Sequence, residues 1–201
     1  MSFAYTGWAI PEGNVVEVAD ASGRVIWSAG PSEVTVILRP IADGVASTGS
    51  NFHTAYPSGV PLYSCIDEEA ADGDSTYIYN FGTSVIILSG TIPRGMKVTA
   101  AKVVYVAKYS DSSGPYSVIN PQITFNGVWY NASGKVLSGS YERYEREYEP
   151  DNNGKTFLEF LNELGTGDIS LDMQLQTAGD SENKTTEMRI TQIYLELTCE
   201  K

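Results

Sequence analysis

One histidine and two cysteines are all that 201 residues supply of the side chains most used for nucleophilic catalysis and zinc binding. Ser-His-Asp and Cys-His machinery both require a histidine, and His53 stands alone in a stretch rich in glycine, serine and threonine, where its plainest role is that of a solvent-exposed loop residue. Cys65 and Cys199 lie far apart and without metal-ligand spacing, so they read as two half-buried thiols. Positive charge is scarce as well. Thirteen Lys and Arg against 25 Asp and Glu leave a net charge of -12, which repels nucleic acid and anionic membrane. No run approaches the roughly 18 to 20 apolar residues of a membrane span. The opening MSFAYTGWAIPEG lacks the basic start and apolar run of a signal peptide, so a soluble protein made in a cytoplasm is expected. GxSxG, HExxH, phosphate-loop and dinucleotide fingerprints are missing. Glycoside hydrolysis needs only two carboxylates, but nothing singles out a pair. The expectation is a protein that is not an enzyme and carries no cofactor.

What is present is β pattern. Residues 15–18 and 24–27 are short β-rich runs joined by the turn formers Asp20, Ser22 and Gly23, which reads as a hairpin. An isolated two-stranded hairpin is marginal in water. Trp8, Ile10 and Trp27 are therefore expected to dock, making residues 1–31 an anchoring module and residues 32–201 the main domain, with Gly30, Pro31 and Ser32 at the joint. Strands are expected over 34–41, 77–81, 85–88, 97–109, 122–130, 136–148, 169–175 and 188–197. The intervening 42–61 stretch reads as a long, contact-making loop. Thr156 and Glu159 form a capping box, Phe157, Phe160, Leu161 and Leu164 follow helical spacing, and Gly165 stops the helix. Strands at this spacing with one late helix predict an all-β, antiparallel jelly-roll-like β-sandwich preceded by an N-terminal β-hairpin, with an up-and-down barrel as the alternative. First and last strands of the sandwich are expected side by side. The last strand, apolar on both faces, is expected to be central and covered on both sides.

Two clusters invite a binding role. Asp67, Asp72 and Asp74, in the acidic segment between Leu62 and Tyr79, are hard oxygen ligands of the kind calcium takes, although their spacing fits no EF-hand; the plainer reading is a solvated surface connection that delivers the chain into a strand at Tyr77. Tyr141, Tyr144 and Tyr148 are separated by charged residues, a pattern that suits stacking on sugar rings, a subunit interface, or cross-strand pairs on a solvated face.

Three stretches carry a family resemblance: Gly7 to Trp27, the acidic segment running into Thr76-Tyr77-Ile78, and residues 157–169 with the closing Ile190 to Leu197. Together they resemble virion-associated proteins of phages and prophages of gut Firmicutes, in which a short N-terminal module precedes a jelly-roll-like domain. Phe157 stands where that pattern has tryptophan, and a Gly-Thr insertion precedes Gly167. The resemblance implies a non-enzymatic virion component, as a capsid decoration, head fibre or tail protein assembled in the host bacterial cytoplasm. It implies other virion proteins as partners and a homo-oligomer, most simply a trimer. The alternative is a carbohydrate- or receptor-binding module for host attachment, with a surface glycan as partner.

Overall fold

The computed structural model describes residues 17–19, 25–28, 32–45, 53–56, 59–69, 75–79, 83–109, 118–178 and 187–201. In chain order the strands are β1 (Glu17–Ala19), β2 (Val25–Ser28), β3 (Glu33–Asp43), β4 (His53–Tyr56), β5 (Ser75–Tyr79), β6 (Thr83–Ile92), β7 (Lys97–Tyr109), β8 (Val118–Phe125), β9 (Val128–Asn131), β10 (Lys135–Val136), β11 (Glu142–Glu147), β12 (Gly167–Ala178) and β13 (Glu187–Glu200). A 3-10 turn, Tyr63–Cys65, follows β4, and helix α1 (Phe157–Leu164) precedes β12. The fold is the expected antiparallel β-sandwich.

Strand β3 joins its two layers. Residues 33–38 pair with β13 in one sheet, and residues 39–43 cross to pair with β6 in the other. In the first sheet β13 lies between β7 on one edge and β3 and β5 on the other, with β11 beyond β7 and β4 beyond β5. The second runs β3, β6, β12, β8, with β9 and β10 against the far edge of β8. The chain changes sheet from β3 to β4, β5 to β6, β6 to β7, β7 to β8, β10 to β11, β11 to β12 and β12 to β13. That alternation distinguishes a jelly roll from an up-and-down barrel. First and last strands of the sandwich pair, as expected.

One core lies between the layers. Leu171, Met173 and Leu175 of β12 with Ile86, Leu88 and Ile123 face Val103, Ile193, Leu195 and Leu197 from the other sheet, all at most 1 % exposed. The helix covers one flank. Thr156 accepts from the Glu159 backbone at 3.2 Å while the Glu159 carboxylate takes the Thr156 N–H at 2.8 Å, the predicted capping box. Asn162 then grips both the N–H and the carbonyl of Val98, each at 2.9 Å. Phe157 and Phe160 pack on Tyr130, Tyr148 and Phe125 with ring centroids 4.5 to 5.2 Å apart.

Several expectations need correction. The two-sided apolar pattern of the last strand comes from a bulge between Ile190 and Gln192, not from cover on both faces. Met188 and Ile190 point inward on even numbers, and after the bulge Ile193, Leu195, Leu197 and Cys199 do so on odd ones. The strand expected over 136–148 is two, because the chain breaks at residues 137–141. That expected over 122–130 is a hairpin turning at Asn126 (φ 49°) and Gly127 (φ 79°), which both adopt the left-handed conformation a two-residue turn requires. The 42–61 loop contains β4, so His53 lies in a strand paired with β5.

The acidic segment is more than a surface connection. Leu62, Cys65 and Ile66 are in the core at 0 to 3 % exposure. The Asp43 carboxylate receives the N–H groups of Leu62 and Tyr63 at 3.1 and 2.8 Å, and Ile193 N–H donates to the Ile66 carbonyl at 3.0 Å, two residues past the bulge. The thiols are likewise fully rather than half buried, and burial pushes that of Cys199 up. Strands β1 and β2 form the expected hairpin, pairing Glu17 with Ser28. Trp8 and Ile10 lie outside the described residues, as does the side chain of Trp27.

Candidate functional site

Alternation assigns the outer faces. In β12 the inward row is Ile169, Leu171, Met173 and Leu175, so Asp168, Ser170, Asp172, Gln174 and Gln176 point out. The ladders place Thr124 beside Asp172, Gln122 beside Gln174 and Asn120 beside Gln176, and set Trp129 against Thr124 and Asn131 against Gln122. Three rows result across β9, β8 and β12: Trp129-Thr124-Asp172, Asn131-Gln122-Gln174 and Asn120-Gln176. Every member but Trp129 ends in an amide, a hydroxyl or a carboxylate, and none carries a cation.

This face has unmet hydrogen-bonding capacity. Asn120 Oδ1, Thr124 Oγ1 and Asn131 Oδ1 are each shielded from water and have no hydrogen-bond partner. An orphaned buried acceptor costs about 1–3 kcal/mol, so three on adjoining strands are an unusual concentration. Gln174, 6 % exposed, accepts from Gln176 Nε2 at 3.4 Å. Trp129 is half-buried at the edge, an apolar ring beside polar groups. Such a surface offers stacking and acceptors to a ligand rich in hydroxyl donors.

The outer face of the other sheet carries a network of ion pairs. Lys102 pairs with Glu145 at 2.8 Å and Glu196 at 3.0 Å, and Arg143 pairs with Glu145 at 2.8 Å. Arg143 also donates to the Tyr194 hydroxyl at 3.3 Å, and Arg39 lies 5.3 Å from that ring's centroid. Arg39 and Gln192 hold the acidic segment through the Glu68 carbonyl, at 2.8 and 2.9 Å. The hydrogen bond from Lys102 holds the Glu145 carboxyl below the usual carboxylate range, and the same contact raises Lys102.

The tyrosines singled out in the sequence do not share a surface. Tyr144 is 7 % exposed, stacks on Tyr105 at 5.3 Å, and accepts the Ser138 N–H through its hydroxyl at 2.8 Å. Tyr148 packs on Phe157, its hydroxyl sealed from solvent. Burial pushes Tyr105 up to about 12 and Tyr144 and Tyr148 upward as well. Tyr141 is 41 % exposed, with the Lys108 ammonium 5.2 Å from its ring centroid. Inner-facing Tyr144 and Tyr148 thus serve the core, because β11 turns its even-numbered residues inward. Of the three acidic residues considered for calcium, Asp72 and Asp74 lie outside the described residues, and among those described no group of three metal-ligating side chains assembles.

A cleft of about 270 Å³ between α1 and the β8–β9 turn is floored by Phe125, Tyr130 and Phe160. Its polar rim is self-contained. Asp151 receives the N–H groups of Asn153 and Lys155, each at 2.8 Å, and Lys155 pairs with Glu163. Three unmet acceptors lie on the β9–β8–β12 face instead. Sequence reasoning missed that face because it read straight through Asn126-Gly127. Taking that pair as a hairpin would have set Trp129 opposite Thr124, facing outward.

No family model matches the chain, and no curated protein does. Among solved structures it is similar to the Family 11 Carbohydrate-Binding Module of the cellulosomal cellulase Lic26A-Cel5E of Clostridium thermocellum, at 11% identity and TM-score 0.37, over 84% of this chain and 88% of that one. TmCBM61 in complex with beta-1,4-galactotriose is 14% identical over 66% of this chain and 74% of that chain, with a TM-score of 0.32. PfGH50B is 17% identical, with a TM-score of 0.34, over 60% of this chain and a 20% portion of its own. Likenesses at these scores carry no argument about function, which rests on the chain's own residues.

Proposed function

We propose that this protein is a non-catalytic binding module that takes a neutral saccharide on the outer face of β9, β8 and β12. The observation that carries this reading is the set of three unmet acceptor oxygens, on Asn120, Thr124 and Asn131, lying on one face with Trp129. Sugar hydroxyls are donors and their C–H faces stack on indole, so one ligand class answers both features. Rotation about the side-chain torsions turns each shielded oxygen toward a ligand. With Asp172 in the row and no Lys or Arg on it, the face repels uronates and other acidic sugars.

The test is affinity electrophoresis and a glycan array with the full chain. Retardation by neutral polysaccharides, weakened in Thr124→Ala and Asn131→Ala, is expected. Binding confined to acidic polysaccharides, or unchanged in both variants, would overturn the reading. Turnover of the bound polysaccharide would overturn the non-catalytic part.

Membership of a virion is a separate proposal. It rests on the sequence motifs alone, with Trp8, Ile10 and Trp27 as the anchor and other virion proteins and further copies of this chain as partners. A chain lacking residues 1–31 is expected to keep its sandwich but fail to enter particles; normal incorporation would sink the anchoring role.

A further inference from the structure

Strand β11 is the outermost of its sheet, and among the described residues it pairs with β7 alone. The stretch bounded by Glu142 and Glu147 ends where Tyr148 bridges to Ala132 and the Glu149 N–H donates to the Asn131 carbonyl at 2.8 Å. An edge of this kind is a template for a further strand, and proteins that avoid such pairing line it with charge, lysine above all. The charges of β11 instead alternate in sign around Tyr144, as Glu142, Arg143, Glu145 and Arg146. Glu142, Arg143 and Glu145 are exposed, and Arg146 is half-buried with its guanidinium in reach of the Tyr105 hydroxyl. Val136 and Tyr141, apolar side chains 52 and 41 % exposed, lie in the chain leading into this strand.

We propose that the β11 edge is a homodimer interface, in which a second copy of the chain adds its own β11 antiparallel across a two-fold axis at Tyr144, extending the sheet from one protomer into the next. Register carries the argument. Opposite residues of paired strands point to one side of the sheet, so a two-fold pairing matches odd positions with odd and even with even. Centred on Tyr144, it sets Arg143 opposite the partner's Glu145 and Glu142 opposite the partner's Arg146, each twice by symmetry, with no like charges opposed. Centred on Arg143 it would oppose two arginines, and centred on Glu145 two glutamates. Opposite charges facing one another across strands stabilise the pair and like ones destabilise it, so one register is selected. An edge charged with one sign only would oppose like charges in every register, whereas this one is self-complementary. Main-chain hydrogen bonds supply the affinity, and the charges supply the register. Arg143 exchanges the Glu145 of its own strand for the partner's Glu145, and each Glu145 keeps its Lys102. The net charge of -12 on each chain opposes association at long range, but that repulsion is screened beyond about 10 Å in ordinary salt.

A single shared strand edge is a small interface, so sedimentation of the full chain is expected to show a dimer with a dissociation constant of about 10–500 µM. Arg143→Glu and Glu145→Arg each oppose like charges at both symmetric positions and are expected to weaken it at least about 10-fold, while the two exchanges combined restore it to within about 3-fold. Far-UV circular dichroism checks that each variant keeps its strands. Disulfide mapping reads the register directly and serves should a charge variant fail to fold. Arg143→Cys chains mixed with Glu145→Cys chains are expected to give the mixed cross-link faster than either variant links to itself. A monomer up to about 1 mM, a trimer, a dimer indifferent to both single exchanges, or cross-linking that favours either variant with itself would each overturn the proposal.

Discussion

On the outer face of the β7–β13 sheet Lys102, Arg143, Glu145 and Glu196 neutralise one another, and Arg39 and Arg143 bracket Tyr194. The outer face of the β8–β12 sheet has Trp129, amides, hydroxyls and three acceptors that nothing answers. Both faces come from the same alternation in the same sandwich. The first is dominated by cross-strand ion pairs, which fix register and keep the surface wet. The second holds its groups on rigid strands with their hydrogen bonds unspent, the condition under which a ligand gains most and ordering costs least.

The largest effect expected from breaking this contrast lies beneath the first face. Tyr144→Ala removes a buried ring stacked on Tyr105 and is expected to cost about 3–5 kcal/mol in denaturant unfolding, with saccharide affinity unchanged in the folded fraction. Loss of affinity without loss of stability would return Tyr144 to the binding role its sequence setting suggested. Next, Trp129→Ala is expected to weaken saccharide binding about 10- to 100-fold by calorimetry, whereas Tyr194→Ala, the aromatic of the opposite face, leaves it unaltered. Equal losses in both would erase the distinction between the faces.

The smallest effect sharpens the contrast through pH. Glu145 titrates below its unfolded value because Lys102 hydrogen-bonds its charged form. Its contribution is therefore complete above the unfolded carboxylate pKa of about 4.3 and is lost as pH falls through the lower folded value. Lys102 is raised, so its share is complete below the unfolded lysine pKa of about 10.4 and is lost as pH rises through the higher folded one. At 34 and 41 % side-chain exposure the pair is screened and is worth under about 1 kcal/mol. Lys102→Ala is expected to shrink the acid-side decline measured at low salt, and the difference from the parent protein should fade as salt is added. A salt-independent difference would mean that the ladder is not electrostatic.

Local chemistry was legible wherever it closes within a few residues. Thr156 with Glu159 and the spacing of Phe157, Phe160 and Leu161 specify α1, and the alternation of Ile169 through Leu175 specifies β12 and its inward row. Misreadings arose where one residue changes the meaning of those after it. The bulge after Ile190 swaps the inward parity of β13, and the turn at Asn126-Gly127 folds an apparent strand back so that Trp129 faces out. A reading by alternation alone passes through both. Tyr144 and Tyr148 looked like ligands because charged neighbours surround them in sequence, but in a strand Arg143, Glu145 and Glu147 occupy the other face.

By itself, then, the sequence determined the sheet-forming segments, the single capped helix, the pairing of first and last sandwich strands, and a surface hostile to polyanions, because propensity, capping and net charge are local or additive quantities. Only the tertiary structure decided which outward rows face one another across separate strands. The amides of Asn120, Gln122 and Gln174 and the indole of Trp129 become one surface through the pairing of β9, β8 and β12, and Arg146 reaches the Tyr105 phenol only because β11 lies against β7. Register is a relation between distant segments, fixed by how one core is filled, and no short window of residues contains it.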